Sequence, residues 1–221
     1  MPEDTPRPAA EPISWSELNE ARKAVRRRWP SIWRLPRVGR STRYAAARIR
    51  PGDRVLDVGA STGRFGTRLA GADYKTVDVD PGVDADHRSL DEVAAGSIDV
   101  AVCFEMIEHV TLADALAVAG GVARVLRPGG RLFLSTPNIH HPWSYLRSAT
   151  HVTPFCFDEL GGLLTVAGLE VDGLFRCHHD SVVKGFLRRL AYPLHRVLGI
   201  DYAKSILAVA HRPVPSTRPE N

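Results

Sequence analysis

Two carboxylates and a pair of glycines are spaced so that they could hold a small polar ligand. Asp57 lies near the end of a run of β-formers, Arg54 to Val58, and Gly59-Ala60-Ser61-Thr62-Gly63 follows. A strand that turns through glycines lets backbone N–H groups approach a ligand closely, because no Cβ stands in the way. The acid at Asp57 would repel a pyrophosphate and suits a cationic or hydroxyl-bearing ligand. Asp78 comes about twenty residues after the loop, where a second strand, Tyr74 to Val79, gives way to Asp80-Pro81-Gly82. A carboxylate there can accept both hydrogen bonds of a ribose hydroxyl pair. Asp80, next to Pro81, reads instead as a turn cap. Nine histidines supply groups able to take a proton near neutral pH.

The elements that must position these groups follow from hydrophobic patterning. Ser14-Trp15-Ser16-Glu17 fits a capped helix start, continued by Leu18, Ala21 and Val25 and broken at Pro30. Trp29, Ile32, Trp33, Leu35 and Val38 are too apolar for a free linker. A helix over 40–49 leads to the Pro51-Gly52 turn before the first strand. Beyond Gly63 a helical pattern runs through Arg64, Leu69 and Ala70. A short third strand ends near Asp84-Ala85-Asp86-His87-Arg88, and Ile98 to Phe104 reads as a buried fourth strand. A helix closing at Pro128-Gly129-Gly130 precedes a fifth strand through Leu132-Phe133-Leu134. A further helix begins at Phe157-Asp158-Glu159-Leu160, and a last strand covers Ser205 to Ala210. Lys184 to Leu198 is basic and amphipathic, either a helix packed on the core or a lid or surface for lipid-like substrates.

In this order the segments resemble class I S-adenosylmethionine-dependent methyltransferases, of the small-molecule type. Asp57-Val58-Gly59-Ala60-Ser61-Thr62-Gly63 resembles the family's first motif, with Ser61 where a middle glycine is usual. Glu105-Met106-Ile107-Glu108-His109-Val110 resembles its motif after strand four, and Arg124 to Asn138 its helix, turn and fifth strand. The resemblance implies an α/β, doubly wound, Rossmann-like domain. Its sheet would be seven-stranded and mostly parallel with an antiparallel edge strand, preceded by an N-terminal helical extension. The expected organisation is a disordered tail over 1–12, the extension over 13–42, the domain over 43–211 and a second tail over 212–221.

The resemblance further implies S-adenosyl-L-methionine as cofactor. Asp57 and the backbone of Gly59, Ala60, Ser61 and Gly63, with Phe65 nearby, would hold its methionine part. Asp78 would meet the ribose, Asp86 with His87 the adenine, Phe104 with Glu105 would line the site from strand four, and Val79 is a further cofactor-binding candidate. Candidate general bases are His151, which fits the family's loop pattern before an aromatic helix start, and His109 and His140. A metal set of His140, His141 and Asp158 mixes an imidazole pair with a carboxylate, unlike the carboxylate sites that hold magnesium, so no metal is assigned.

Competing classes are narrowed by absences in the sequence. A nucleotide-dependent reductase would need its third glycine one residue before Gly66, and no tyrosine has a lysine four residues on. The Pro-Pro-aromatic motif of base amino-methylation is missing after Pro137-Asn138. Residues 22–50 carry many Lys and Arg and no acid, so a nucleic-acid or protein substrate docking there remains an alternative, as does a non-catalytic cofactor-binding module. Cys103, Cys156 and Cys177 stand too far apart for a C-x-x-C zinc site or a disulfide framework. No apolar run reaches the ~20 residues of a membrane span and no secretory signal is visible. The expectation is a cytoplasmic monomer or homodimer acting on a small-molecule acceptor, with no nucleic-acid partner and peripheral lipid contact left open.

Overall fold

A computed structural model describes residues 15–141, 143–178, 186–187 and 190–215. The expected tail at 1–12, the helix cap at Ser14, Pro142 and parts of the Lys184–Leu198 segment and of the C-terminal tail lie outside the described residues. In chain order the elements are α1 (Trp15–Arg28), β1 (Arg37–Val38), α2 (Ser41–Ala46), β2 (Arg54–Val58), β3 (Asp73–Val77), β4 (Ile98–Phe104), α3 (Leu112–Val125), β5 (Leu126–Pro137), α4 (Phe157–Val166), β6 (Glu170–Cys177), α5 (Tyr192–Val197) and β7 (Ser205–His211).

The strands form one sheet in the order β1-β6-β7-β5-β4-β2-β3. β7 alone runs against its neighbours, antiparallel to both β5 and β6. The antiparallel strand expected at the edge therefore lies inside the sheet. That position allows the apolar Ile206, Leu207 and Ala208 to be fully buried, as an edge would not. The seventh strand is also a different one. β1 supplies it by pairing with β6, whereas the expected third strand contributes only a single bridge between Val77 and His87.

β2 feeds β3 on one side, and the chain then returns past β2 to pair β4 on the other. This reversal opens a crevice at the carboxyl ends of β2 and β4, where doubly wound sheets bind their ligands. The helical pattern after Gly63 yields only a short 3-10 turn, Gly66–Arg68. The Tyr74 ring packs against Gly66, where a Cβ would come within 2.6 Å of it.

The N-terminal helix is built into the layer below the sheet. Gly161 and Gly162 of α4 let α1 approach so closely that a Cβ on Gly161 would lie 2.9 Å from Val25. Arg22 and Arg26 both donate to the buried Asp158 carboxylate, at 3.2 and 2.8 Å, and Arg28 donates to the carbonyls of Val171 and Asp172. Two cations of the basic run are thus paired with α4, and a third is bonded to backbone carbonyls of β6. Ile32 and Leu35 are buried in the same core, where Trp29 and Trp33 also pack.

Candidate active site

The glycine turn after β2 is shaped by what surrounds it. Gly59 has φ +71°, and a Cβ there would overlap Met106 at 2.3 Å, so the loop lies directly on the segment following β4. Ser61 holds φ +48°, a conformation that costs a residue with a Cβ about 1 kcal/mol or more. Its backbone N–H donates to Asp78 Oδ2 at 2.8 Å, and the N–H of Asp80 donates to Asp78 Oδ1 at 3.0 Å. Asp78 thereby ties the glycine turn to the end of β3. Beneath the turn, Asp57 is buried and accepts a 2.6 Å hydrogen bond from the Tyr74 hydroxyl. Burial pushes its pKa up to about 6, against the opposing pull of that hydrogen bond.

A second cluster lies just beyond β4. Glu105 takes φ +52°, and Ser135 donates to its carboxylate at 2.7 Å. Burial raises the Glu105 pKa, although much of the residue's surface still meets solvent, which softens the effect. Glu108 is fully buried; Thr136 donates to its Oε2 at 3.1 Å, while Oε1 has no hydrogen-bond partner among the described residues. Burial, with the charge of Glu105 added, pushes the Glu108 pKa up to about 8. The Glu108 carbonyl accepts from the N–H groups of Val152 and Thr153, at 2.7 and 3.1 Å, and so hangs the 150–153 loop over its own side chain.

That loop brings two histidines together. The rings of His109 and His151 meet edge to face with centroids 4.8 Å apart. His151 Nδ1 is 2.7 Å from the Tyr145 carbonyl and His109 Nδ1 is 3.1 Å from that of Thr150. A carbonyl only accepts, so each Nδ1 carries a proton, and in its neutral form each ring would present a bare Nε2. Both Nε2 atoms stand 4.0 Å from Glu108 Oε1.

A family model described as a methyltransferase domain matches residues 31–174. The chain belongs to this methyltransferase domain family. Its fold is that of the class I S-adenosylmethionine-dependent members. Among curated relatives, the ubiquinone biosynthesis O-methyltransferase of Xanthomonas axonopodis pv. citri is 40% identical over 116 residues, covering 43% of this chain and 48% of the relative. The same-named protein of Xanthomonas oryzae pv. oryzae is 39% identical over the same length and shares. The chain thus spans about half the length of these relatives. Among solved structures, a SAM dependent methyltransferase from Archaeoglobus fulgidus superposes with TM-score 0.61 at 14% identity, covering 90% of this chain and all of the other. Haemonchus contortus phosphoethanolamine N-methyltransferase 2, solved with S-adenosyl-L-methionine, gives 0.56 at 13% identity over 81% of this chain and 54% of that one.

In this methyltransferase domain the residues expected to touch the cofactor divide into two groups. Asp57, Gly59, Ala60, Ser61, Gly63, Asp78, Val79, Phe104 and Glu105 all stand at the carboxyl ends of β2, β3 and β4. Val79 is 83% exposed there. Phe65 is instead a core residue, packed on Phe104 at 5.1 Å. Asp86 and His87, expected at the adenine, are held by other contacts in the ligand-free protein. The Asp86 carboxylate accepts from the backbone and hydroxyl of Thr76 and from Lys75, and so pins its loop to β3. The His87 ring lines a recess of about 230 Å³ beside Arg54, Asp73 and Lys75, towards the amino ends of the strands.

Of the three candidate bases, the structure joins His109 and His151 and leaves His140 apart. His140 is bound into the turn after β5, its N–H to Asn138 and its carbonyl to Asp201. Glu108 is the residue that sequence reasoning passed over, although it stands in the quoted Glu105-Met106-Ile107-Glu108-His109 run. Its spacing of one from His109 held the signal. The metal set considered from sequence is not assembled, since Asp158 serves Arg22 and Arg26. A different set is: Glu108, His109 and His151 place their ligand atoms within 4.8 Å of one another.

Proposed function

We propose that this chain transfers a methyl group from S-adenosyl-L-methionine to a hydroxyl oxygen of a small molecule, and that Glu108, His109 and His151 activate that hydroxyl. The convergence of their three ligand atoms carries the reading. An oxygen acceptor, of the quinone-like kind, is supported by the relatives named for ubiquinone biosynthesis. The bound cofactor supplies an electrophilic sulfonium methyl, so alignment of the acceptor does most of the work.

The residues present fit the cofactor. A carboxylate offers about four acceptor sites, and Asp78 has used two on backbone N–H groups, leaving two for the ribose hydroxyls. Val79 offers an exposed apolar side chain to the adenine. The Gly59–Gly63 turn, with Asp57 beneath it, suits the cationic methionine end. At the acceptor, His151 receives the hydroxyl proton on Nε2 while the Tyr145 carbonyl holds Nδ1. Where Glu108 is ionised, its carboxylate 4.0 Å away stabilises the positive ring so formed.

A second reading is favoured by the unpartnered Oε1 of Glu108. The three groups could hold a divalent cation, since both imidazoles offer Nε2 with Nδ1 fixed by a carbonyl, the usual arrangement of metal-bound histidines. Two imidazoles and one carboxylate suit manganese, iron or zinc better than magnesium. The cation would supply Lewis acidity to an acceptor hydroxyl.

Methylation assays over a panel of phenols and catechols test both. Glu108→Gln and His151→Ala should cut turnover about 100-fold or more, with S-adenosylhomocysteine affinity unchanged. Activity lost to a chelator and restored by manganese or zinc selects the cation reading; indifference to the chelator selects the imidazole base. Full turnover in His151→Ala would overturn both.

A further inference from the structure

The helix near the C-terminal end of the chain is amphipathic in the wrong sense for a helix packed on a core. Phe186, Leu187, Leu190, Leu194, Val197 and Leu198 are 58 to 84% exposed. At 100° per residue they share about 120° of helix circumference. Hydrogen bonds from Ala191 N–H to the Leu187 carbonyl, and from His195 N–H to that of Ala191, carry helical geometry into α5. The inward side is polar and aromatic. Tyr192 meets Trp33 edge to face at 5.6 Å, and His195 meets Tyr202 at 4.5 Å. The aliphatic stripe thus faces solvent.

The patch extends towards the candidate active site. Tyr202 also contacts the His141 ring at 5.8 Å, which brings the loop after β5 beside α5. Trp143 and Leu146 on that loop are 75% and 81% exposed. The same loop continues through Tyr145, whose ring lies 5.1 Å from that of His151. The charge of the segment is one-sided. Between Asp180 and Asp201 the sequence holds Lys184, Arg188, Arg189 and Arg196 and no acid.

We propose that the exposed stripe of Phe186, Leu187, Leu190, Leu194, Val197 and Leu198, with Trp143 and Leu146, docks this enzyme on an anionic phospholipid surface. An exposed apolar stripe flanked by cations lies in the bilayer interface, its aliphatic side chains among the acyl chains and its Lys and Arg at the headgroups. Tryptophan favours the same depth. A second copy of the chain would have to bring the same excess of cations against itself, which charge disfavours. Docking in this way presents the Tyr145–His151 loop to the membrane, the phase in which an apolar acceptor is concentrated. The proposal concerns binding and does not depend on methyl transfer.

Sedimentation with vesicles tests it. The full chain should pellet with vesicles containing about one-third phosphatidylglycerol, and at least about tenfold less with phosphatidylcholine alone or at about 0.5 M salt. Leu190→Glu/Leu194→Glu/Val197→Glu, three exposed positions, should lose vesicle binding about tenfold or more while keeping its circular dichroism and S-adenosylhomocysteine affinity. Arg196→Glu should weaken binding to anionic vesicles only. The proposal is overturned if the wild type ignores anionic vesicles at low salt or if the triple variant pellets equally well. It is overturned too if light scattering finds a dimer that the triple variant abolishes while neither form binds vesicles, since the stripe would then belong to a second copy.

Discussion

Replacing Asp78 by alanine removes one carboxylate that serves two purposes, and the two can be separated. In the ligand-free protein its oxygens accept from Ser61 N–H at 2.8 Å and Asp80 N–H at 3.0 Å. Both donors lie in exposed turns, so water can replace the carboxylate, and the stability lost should be only about 1–2 kcal/mol. For a domain of this size that is a fall of a few degrees in Tm. The remaining acceptor sites are those assigned to the ribose hydroxyls. Hydrogen bonds to a charged acceptor contribute about 1.5–3 kcal/mol, which raises the Kd for S-adenosylhomocysteine about 10- to 150-fold. Calorimetric titration measures this directly. Asp80→Ala is the control, because the Asp80 carboxylate only caps the N–H of Gly82 at 2.8 Å; its affinity should stay within about twofold. An unchanged Kd in folded Asp78→Ala, or an equal loss in Asp80→Ala, would refute the ribose assignment.

Two further predictions concern the floor of the same site. Asp57 has a folded-state pKa raised from 3.8 to about 6, so the fold favours its protonated form. Its stabilising contribution is complete below pH 3.8 and is lost as pH rises through about 6. Asp57→Asn should therefore gain on the wild type by about 2–3 kcal/mol between pH 4 and pH 8. Urea unfolding of both proteins across that range checks it, and a flat difference would show that the carboxylate is not strained by burial. Gly59→Ala must place a Cβ 2.3 Å from Met106 Cγ at φ +71°. We expect about 2–4 kcal/mol of destabilisation, part from the dihedral and part from overlap. A Met106→Ala background should relieve the closer overlap, with Cγ, while that with Cβ at 2.9 Å remains, and identical costs in both backgrounds would count against the clash.

What could be read in the sequence was what depends on neighbours along the chain. The β2 turn announces itself through Asp57, Gly59 and Gly63, and β4 through its unbroken apolar run, because strand burial and turn chemistry are local. Ser61 was already visible as the residue out of place, and its φ of +48° is the physical form of that departure. The order of strands was harder. That β7 lies between β5 and β6 depends on pairings such as Phe133 with Val209 and Leu174 with Ala208, which no local pattern encodes. The helix expected after Gly63 is only a 3-10 turn at Gly66–Arg68, packed under the Tyr74 ring. Asp86 was matched to the adenine through the family resemblance alone, and its bonds to Thr76 and Lys75 are contacts between strand and loop that no local pattern announces. His109 and His151 could be picked individually. Their meeting over Glu108 rests on Val152 and Thr153 finding a carbonyl more than forty residues away in sequence.

The two ends of the sheet are built on opposite electrostatic terms, and this argues for where the function lies. At the amino ends, Asp99 accepts from Arg54 at 2.8 Å and is also bonded by Arg127, which holds its carboxyl well below the usual range. That arrangement stabilises the fold near neutral pH and leaves nothing unpaired. At the carboxyl ends the pattern reverses. Asp57 and Glu108 are buried and shifted upward, Glu108 Oε1 lacks a partner among the described residues, and Ser61 and Glu105 hold positive φ. Each feature costs folding free energy, and together they occupy one crevice. The groups whose ionised form is disfavoured there are all acids. A positive charge arriving in the crevice would reverse that cost, on Asp57 through the sulfonium and amine of the cofactor and on Glu108 through an imidazolium or a metal ion. The site is therefore poised to bind cations, and ligand binding should stabilise this protein more at pH 8 than at pH 5, where the Asp57 carboxyl is already protonated.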